Sequence, residues 1–345
     1  MEALVHQKVT PAKIIETGMN FWSAKTLLAA VRLELFTHLA KEPLTTHEIC
    51  NTLGLHKRSI HDFLDVLVTQ GFLTRQGIKD TAVYANTEVA NTYLNSNKPT
   101  YMGGILEWAN DRLYERWHHL EDALRTGKPQ NLAGKVSDSL FETIYQDKSL
   151  TQAFVNAMSS MQMANFLTLA KEFDFAQYKS CCDIGGCKGD LAIQIAKNHS
   201  NVHCTTVDLP QVESFATANV SQERLEDRVN VVSCNFFKDQ WPTCDVITMS
   251  NVLCCWGVNE KMTLIKKAYE SLPKGGALVV IENVIDDERR TDTFSLLMSL
   301  NMLVETTEGF NFTKAEFESW TESCGFRDVH TLPLNGATTA LIAVK

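Results

Sequence analysis

The sequence has no apolar run long enough to span a bilayer; its longest, such as Ala277 to Ile281, is strand-sized. It has no basic excess, since 32 Lys and Arg stand against 41 Asp and Glu, for a formal net charge of −9. A nucleic-acid binder carries a basic face and an anionic membrane repels an acidic chain, so neither is the expected partner. There is no block of like charge and no low-complexity tract to form a disordered tail. The ten cysteines include no CxxC pair, so no metal site is expected and free thiols are the default. Met1 to Lys13 lacks the apolar core of a secretory leader, which leads to the expectation of a cytoplasmic protein.

What is present is an ordinary globular composition, 44% hydrophobic and 21% charged over 345 residues, long enough for two domains. The first third reads as helical. Ala12 to Trp22 and Ala24 to Leu35 carry apolar residues at helical spacing. Thr45-Thr46 before His47-Glu48-Ile49 gives an N-cap, and Lys57 to Gln70 a further helix. Phe72 to Arg75 and Ala82 to Tyr84 read as a hairpin around Gln76-Gly77. Helices followed by a hairpin form a winged-helix pattern. Its candidate recognition helix carries Asp62 and Asp65 beside Lys57 and Arg58, which favours a dimerisation and lid module over DNA binding. Helices are expected from about Tyr101 to Thr126 and from Leu150 to Phe173, separated by Gly127-Lys128-Pro129.

From Lys179 strands and helices alternate. Strands are expected at Ser180–Ile184, Val202–Val207, Val229–Ser233, Asp245–Met249 and Ala277–Glu282, with an antiparallel pair at Arg327–Thr331 and Thr338–Val344. Helices are expected at Asp190–Asn198, Gln211–Ala218 and Lys261–Leu272. The rhythm is that of an α/β fold with a mostly parallel sheet, a Rossmann-like arrangement. The expected domains are 1–103, a winged-helix-like dimerisation domain; 104–175, a helical connector contributing to a substrate pocket; and 176–345, the Rossmann-like domain.

The first of these strands runs into Asp183-Ile184-Gly185-Gly186-Cys187-Lys188-Gly189-Asp190. Its glycines let the backbone turn and approach a ligand, but their spacing does not fit the G-x-G-x-x-G of a dinucleotide loop. An acid two positions before the first glycine suits a methyltransferase loop better. Asp208 ends the next strand, placed to accept two ribose hydroxyls. Asn235 and Phe236 follow the third strand and offer an amide and an aromatic face for adenine.

The motifs DIGGCKGDLA (183–192), DLPQV (208–212), NFFKDQWP (235–242), NVLCCW (251–256), LPKGGALVVIE (272–282) and SLNMLVET (299–306) together resemble the class I O-methyltransferases typified by caffeic-acid and acetylserotonin enzymes and their bacterial relatives. The resemblance covers nearly the whole chain. It implies a homodimer formed through a mainly helical N-terminal domain. It also implies S-adenosyl-L-methionine as cofactor, S-adenosyl-L-homocysteine as product, and a small acceptor of aromatic or secondary-metabolite type. The implied cofactor residues are Asp183, Gly185, Gly189, Asp208, Leu209, Asn235, Phe236, Ser250, Met158 and Trp256. Asn235 stands where the family has Asp, Ser250 where plant members have Lys, and Cys187 where many have Gly.

The family places a His base in a pattern like L-H-D-W; this chain reads Leu253-Cys254-Cys255-Trp256. A thiol is a weak base at neutral pH and is itself open to methylation. Of the other two family catalytic positions, Glu282 matches and Asn311 stands where an acid is usual. The expected activity is O-methylation without the usual His. Transfer to carbon or nitrogen, and a non-methylating reaction or binding role using the cofactor as a fixed charge, are the alternatives. The simplest role for Cys254 and Cys255 is to fill the space of a lost His-Asp pair. Substrate candidates are Glu107, Trp108, Phe154, Met158, Met161, Met298, Asn301 and Met302, a set suited to a flat apolar molecule. Arg112 reads more naturally as part of a solvated helix face than as a carboxylate clamp.

Overall fold

The structure, a computed structural model, describes residues 9–130 and 140–345. Most of the stretch read above for a leader therefore lies outside the described residues. The chain divides into two compact units, Met1–Asn110 and Asp111–Lys345. The division falls inside the segment expected as a connector.

In the first unit the two N-terminal helices are one, Ala12–Arg32. Nothing at Trp22-Ser23-Ala24 breaks it; the break comes at Glu34, whose φ of 55° is left-handed. Thr45 caps the helix Thr46–Leu53 by a capping box, its side chain accepting from the Glu48 amide while Glu48 Oε2 accepts from the Thr45 amide at 2.7 Å. The helix Ile60–Thr69 packs Ile60, Leu64 and Leu67 inward. Strands β1 (Leu44–Thr45), β2 (Leu73–Gln76) and β3 (Val83–Asn86) form an antiparallel sheet in the order β1-β3-β2. This is the winged-helix arrangement. Asp65, from the candidate recognition helix, is bound internally: it pairs with Arg75 of the wing at 2.6 Å and accepts from Tyr84 Oη at 2.9 Å.

In the second unit a seven-stranded sheet runs in the order β6-β5-β4-β7-β8-β10-β9. Its members are β4 (Ser180–Ile184), β5 (His203–Asp208), β6 (Val229–Ser233), β7 (Val246–Ser250), β8 (Ala277–Asn283), β9 (Arg327–Pro333) and β10 (Thr338–Val344). The pairings β6-β5, β5-β4, β4-β7 and β7-β8 are parallel, while β10 runs antiparallel to β8 and β9. All seven positions of β8 are buried, as expected for a central strand covered on both faces. Helices Asp190–Asn198, Pro210–Gln222 and Val258–Ser271 make the crossovers β4→β5, β5→β6 and β7→β8. The strand order reverses at β4, so the carboxyl ends of β4 and β7 flank a switch-point crevice, where open α/β sheets bind ligands.

The expected helix from Tyr101 to Thr126 is segmented. It comprises Gly103–Trp108, a π-helical turn Ala109–Leu113, the short pieces Tyr114–Arg116 and Trp117–His119, and Leu120–Thr126. Two helices of the second unit, Thr293–Glu305 and Lys314–Cys324, had no counterpart in the sequence reading. Among the described residues no helix is long and apolar enough to cross a membrane. None of their His, Cys, Asp and Glu side chains gather in threes to hold a metal.

Candidate active site

The site is built from the carboxyl ends of β4, β5, β7 and β8. At β4 the chain leaves Ile184 and turns with Gly185 at φ 71°, Cys187 at 53° and Gly189 at 77°. A β-carbon on Gly185 would lie 2.5 Å from Val252 Cγ2, and one on Gly186 would lie 2.7 Å from Asp183 Oδ2, so neither position admits a side chain. The loop stays on the sheet because the Gly185 amide donates to the Val207 carbonyl at 2.8 Å. Gly189 starts the helix Asp190–Asn198, whose amino end points its free N–H groups out of the turn.

Two carboxylates flank this turn. Asp183 is 2% exposed and accepts from Thr248 Oγ1 on the neighbouring strand at 2.7 Å. Burial raises its pKa to about 7. Asp208 is half-buried and is held by two amides: Cys187 N donates to Oδ2 at 2.8 Å and Leu209 N to Oδ1 at 2.7 Å. Burial raises its pKa to about 6, against those two hydrogen bonds. Cys187 thus keeps a glycine-like conformation in the loop and orients Asp208 through its amide.

The aromatic wall is a connected set. Trp256 stacks on Phe141 and meets Phe237 edge-on at 4.7 Å and Phe236 at 6.4 Å. Phe141 stacks on Tyr145, and both meet Phe154 edge-on. Tyr145 was not singled out in the sequence. Burial raises its pKa strongly, and the charges of Asp208, Cys187 and Cys255 add to the shift, which places its phenol among the loop residues. Asn235 does not have a free side-chain carbonyl: its Oδ1 accepts from the amides of Phe237 at 3.2 Å and Lys238 at 3.3 Å and so caps the turn. That leaves its amide nitrogen as the group available to a ligand.

The ends of β7 and β8 carry the residues expected to act on the acceptor. Cys254 sits in the turn Leu253–Cys255 and is 4% exposed; its amide donates to Glu282 Oε1 at 3.2 Å, and its sulfur is 3.9 Å from that of Cys255. The contact with Cys255, then burial, then the Glu282 charge hold the Cys254 thiol well above its ordinary pKa. Glu282 is 1% exposed and burial raises it to about 7, opposed by hydrogen bonds from Cys254 and by the charge of Lys261. Its Oε2 has no hydrogen-bond partner among the described residues. Asn311 donates from Nδ2 to the Asn283 carbonyl at 2.9 Å, while its buried Oδ1 and the Ser250 hydroxyl oxygen have no such partner.

The substrate candidates divide. Glu107 and Trp108 lie in the first unit, where Glu107 accepts from Tyr101 Oη at 3.3 Å and Trp108 is buried. Met158 and Met161 lie half-buried on the helix Lys148–Glu172, and Met298, Asn301 and Met302 lie on Thr293–Glu305. Asn301 is fixed by Trp117 Nε1 at 2.9 Å. The expectation of a solvated Arg112 is corrected: its side chain is 11% exposed, and Arg112 and Arg116 each pair with the buried Glu305 at 3.4 Å. The reason is the π-helical turn at Ala109–Leu113, which breaks the straight-helix spacing from which a solvent face was inferred.

Comparison with known proteins agrees over the full length. Residues 117–327 match the O-methyltransferase domain family and residues 15–96 the O-methyltransferase dimerisation domain. The tetracenomycin polyketide synthesis 8-O-methyl transferase of Streptomyces glaucescens is 36% identical over 97% of each chain. The acetylserotonin O-methyltransferase of Bos taurus is 31% identical over 96% of each. The crystal structure of human N-acetylserotonin methyltransferase in complex with SAM superposes with a TM-score of 0.89 at 28% identity, covering 100% of this chain and 99% of the other.

Proposed function

The chain belongs to the S-adenosylmethionine-dependent O-methyltransferase family, and from that premise we propose that it methylates a hydroxyl of a small, flat organic acceptor. The observation that carries the reading is the pairing of a turn that admits no side chain at Gly185 with an Asp208 carboxylate aimed by two amides. This cradle fits the cofactor. Asp208 receives the ribose hydroxyls, Leu209, Phe236 and Asn235 border the adenine, and Asp183, Gly185, Gly189, Ser250, Met158 and Trp256 complete the binding surface. When bound, the cofactor supplies a methyl group made electrophilic by a sulfonium. The protein supplies alignment and exclusion of water, which for an in-line displacement account for much of the acceleration.

The relatives act, by name, on a polyketide and on acetylserotonin; a hydroxylated aromatic of that kind suits the Phe, Trp and Met surface of this site. Its hydroxyl proton needs an acceptor as the C–O bond forms and the C–S bond breaks. The Cys254 thiol is too weakly acidic to act as thiolate, which leaves it filling space. Glu282 has a pKa near working pH and one oxygen without a partner. It takes the proton directly or over one bridging water. The exposed Ile14, Ile15, Met19, Phe21 and Trp22 on the first helix support a homodimer formed through the N-terminal unit.

The test has two arms. Calorimetric titration with S-adenosylhomocysteine should show uptake by the parent and about 100-fold weaker uptake by Asp208→Ala, the loss expected for two charge-assisted hydrogen bonds. Labelled methyl groups offered with a panel of phenols and naphthols should appear on oxygen. Label on carbon or nitrogen would overturn the O-acceptor reading, and equal binding by Asp208→Ala would overturn the cofactor site.

A further inference from the structure

One side chain joins the two segments of the acceptor side. Lys261 lies in the first turn of the helix Val258–Ser271 and is completely buried. Its Nζ donates to the Trp256 carbonyl at 2.7 Å and to the Phe310 carbonyl at 3.0 Å. The ammonium also lies 3.2 Å from the centroid of the Phe310 ring, with Phe312 and Trp320 at 5.6 and 5.8 Å. Trp256 directly follows the Cys254-Cys255 turn, and Phe310 directly precedes Asn311. A single cation therefore ties the turn that lies over Glu282 to the segment that carries Asn311.

Burying an ammonium is costly unless charge and hydrogen bonds compensate it. Two carbonyls and a ring face offset part of that cost. The rest requires negative charge nearby, and the groups facing Lys261 are Glu282, Cys254, Cys255 and, from the helix Lys314–Cys324, Glu316. The groups facing Glu282 are Cys254 and Lys261. Lys261 makes no direct ion pair with Glu282; the two interact through space while the ammonium bonds carbonyls.

We propose that Lys261 is a positioning residue for methyl transfer, clamping the two acceptor-side segments together and supplying the positive charge beside which the Glu282 carboxylate ionises. The inference rests on the reading of Glu282 as proton acceptor. Supporting it, burial pushes Lys261 down to about 8 and Glu282 up to about 7, each opposed by the charge of the other. Without the ammonium, only the hydrogen bonds from the Cys254 turn oppose burial, and the Glu282 carboxyl stays protonated to higher pH.

The experiment is an infrared pH titration of the unliganded protein, with the Glu282 carboxyl band assigned by its absence from Glu282→Gln. Lys261→Gln keeps a donor for the carbonyls and removes the charge; Lys261→Arg keeps the charge. The Glu282 band should titrate about one unit higher in Lys261→Gln, a tenfold smaller ionised fraction well below the midpoint, and close to the parent in Lys261→Arg. With any phenol that the parent methylates, the acid limb of kcat should move in parallel while the KM for the cofactor stays within about 3-fold, a pattern general misfolding would not give. Melting curves check that each variant is folded, and Lys261→Met is a second neutral variant if Lys261→Gln is not. An unmoved band in a folded neutral variant overturns the proposal. If Glu282→Gln turns over like the parent, the Glu282 reading fails instead, whatever the band does.

Discussion

The two ends of the site are built on different terms. At the cofactor end, around β4 and β5, every carboxylate described is held by named donors: Thr248 on Asp183, and the amides of Cys187 and Leu209 on Asp208. At the end expected to meet the acceptor, around β7 and β8, Glu282 Oε2 and Asn311 Oδ1 lie buried without hydrogen-bond partners among the described residues, and the turn over Glu282 carries the Cys254 and Cys255 thiols. The first end is held in part by backbone amides, and close neighbours oppose a side chain at Gly185 and Gly186. The second is made of side chains, and its chemistry can change without loss of the fold. A cradle held by backbone beside a reaction centre made of side chains lets one fold keep its donor while the acceptor changes.

The comparison breaks most sharply at Gly185. Gly185→Val puts side-chain atoms into Val252 at a left-handed position and should weaken S-adenosylhomocysteine binding by more than about 100-fold, read by calorimetry on a protein shown to be folded by its melting curve. Binding close to the parent's would show that the turn is not the cradle.

Next is the pH dependence of stability. Asp183, Asp208 and Glu282 all have folded-state pKa values raised by burial, to about 7, about 6 and about 7. From roughly pH 4 to 7 the folded state therefore holds more protons at these groups than the unfolded state, and their contribution to stability is lost as pH rises through that window. The unliganded protein should melt at least ~5 °C lower at pH 8 than at pH 5.5, and Asp183→Asn should flatten the curve. A melting temperature that rises across the window contradicts the burial argument.

A smaller effect is expected at Asn301, held by Trp117 on the helix Thr293–Glu305. Asn301→Ala should raise the KM for the acceptor by about 3- to 10-fold, as for one hydrogen bond, and leave cofactor affinity unchanged. The smallest effect belongs to Cys254. Cys254→Ala should leave turnover within about 3-fold, because a thiol held this far above its ordinary pKa contributes volume, not charge. Complete loss of activity would make the two ends equally chemical and remove the contrast drawn here.

Much of the architecture was legible in the chain. The strands of the large sheet are short apolar runs bounded by turn residues, and Ser180–Ile184, Val229–Ser233 and Thr338–Val344 fall where their pattern places them. The cap was legible in Thr45-Thr46 ahead of a short helix, and the structure completes it with Glu48 as a capping box. The helices at 293–305 and 314–324 were missed, since an apolar stretch such as Leu296 to Val304 does not show a single face. The division of labour at the site was harder to read. Asp183, Gly185 and Asp208 carry local signals, whereas Tyr145 and Lys261 matter only through residues distant in sequence. A lysine in the first turn of a helix ordinarily reads as solvated; only the packed structure shows Lys261 buried against Phe310. For Arg112 the π-helical turn at Ala109–Leu113 hid the face on which it meets Glu305.

The left-handed Cys187 has one more consequence. An L-residue there carries roughly 1–2 kcal/mol of backbone strain that glycine would avoid, yet the loop uses this residue's amide, and any amino acid supplies an amide. Exchange for glycine would release the strain while preserving the hydrogen bond to Asp208. The same exchange would enlarge the conformational freedom of the unfolded chain, which works in the opposite direction. This makes the position a practical starting point for engineering thermal robustness, because the balance can be tuned at a residue that holds Asp208 through its amide and not its side chain.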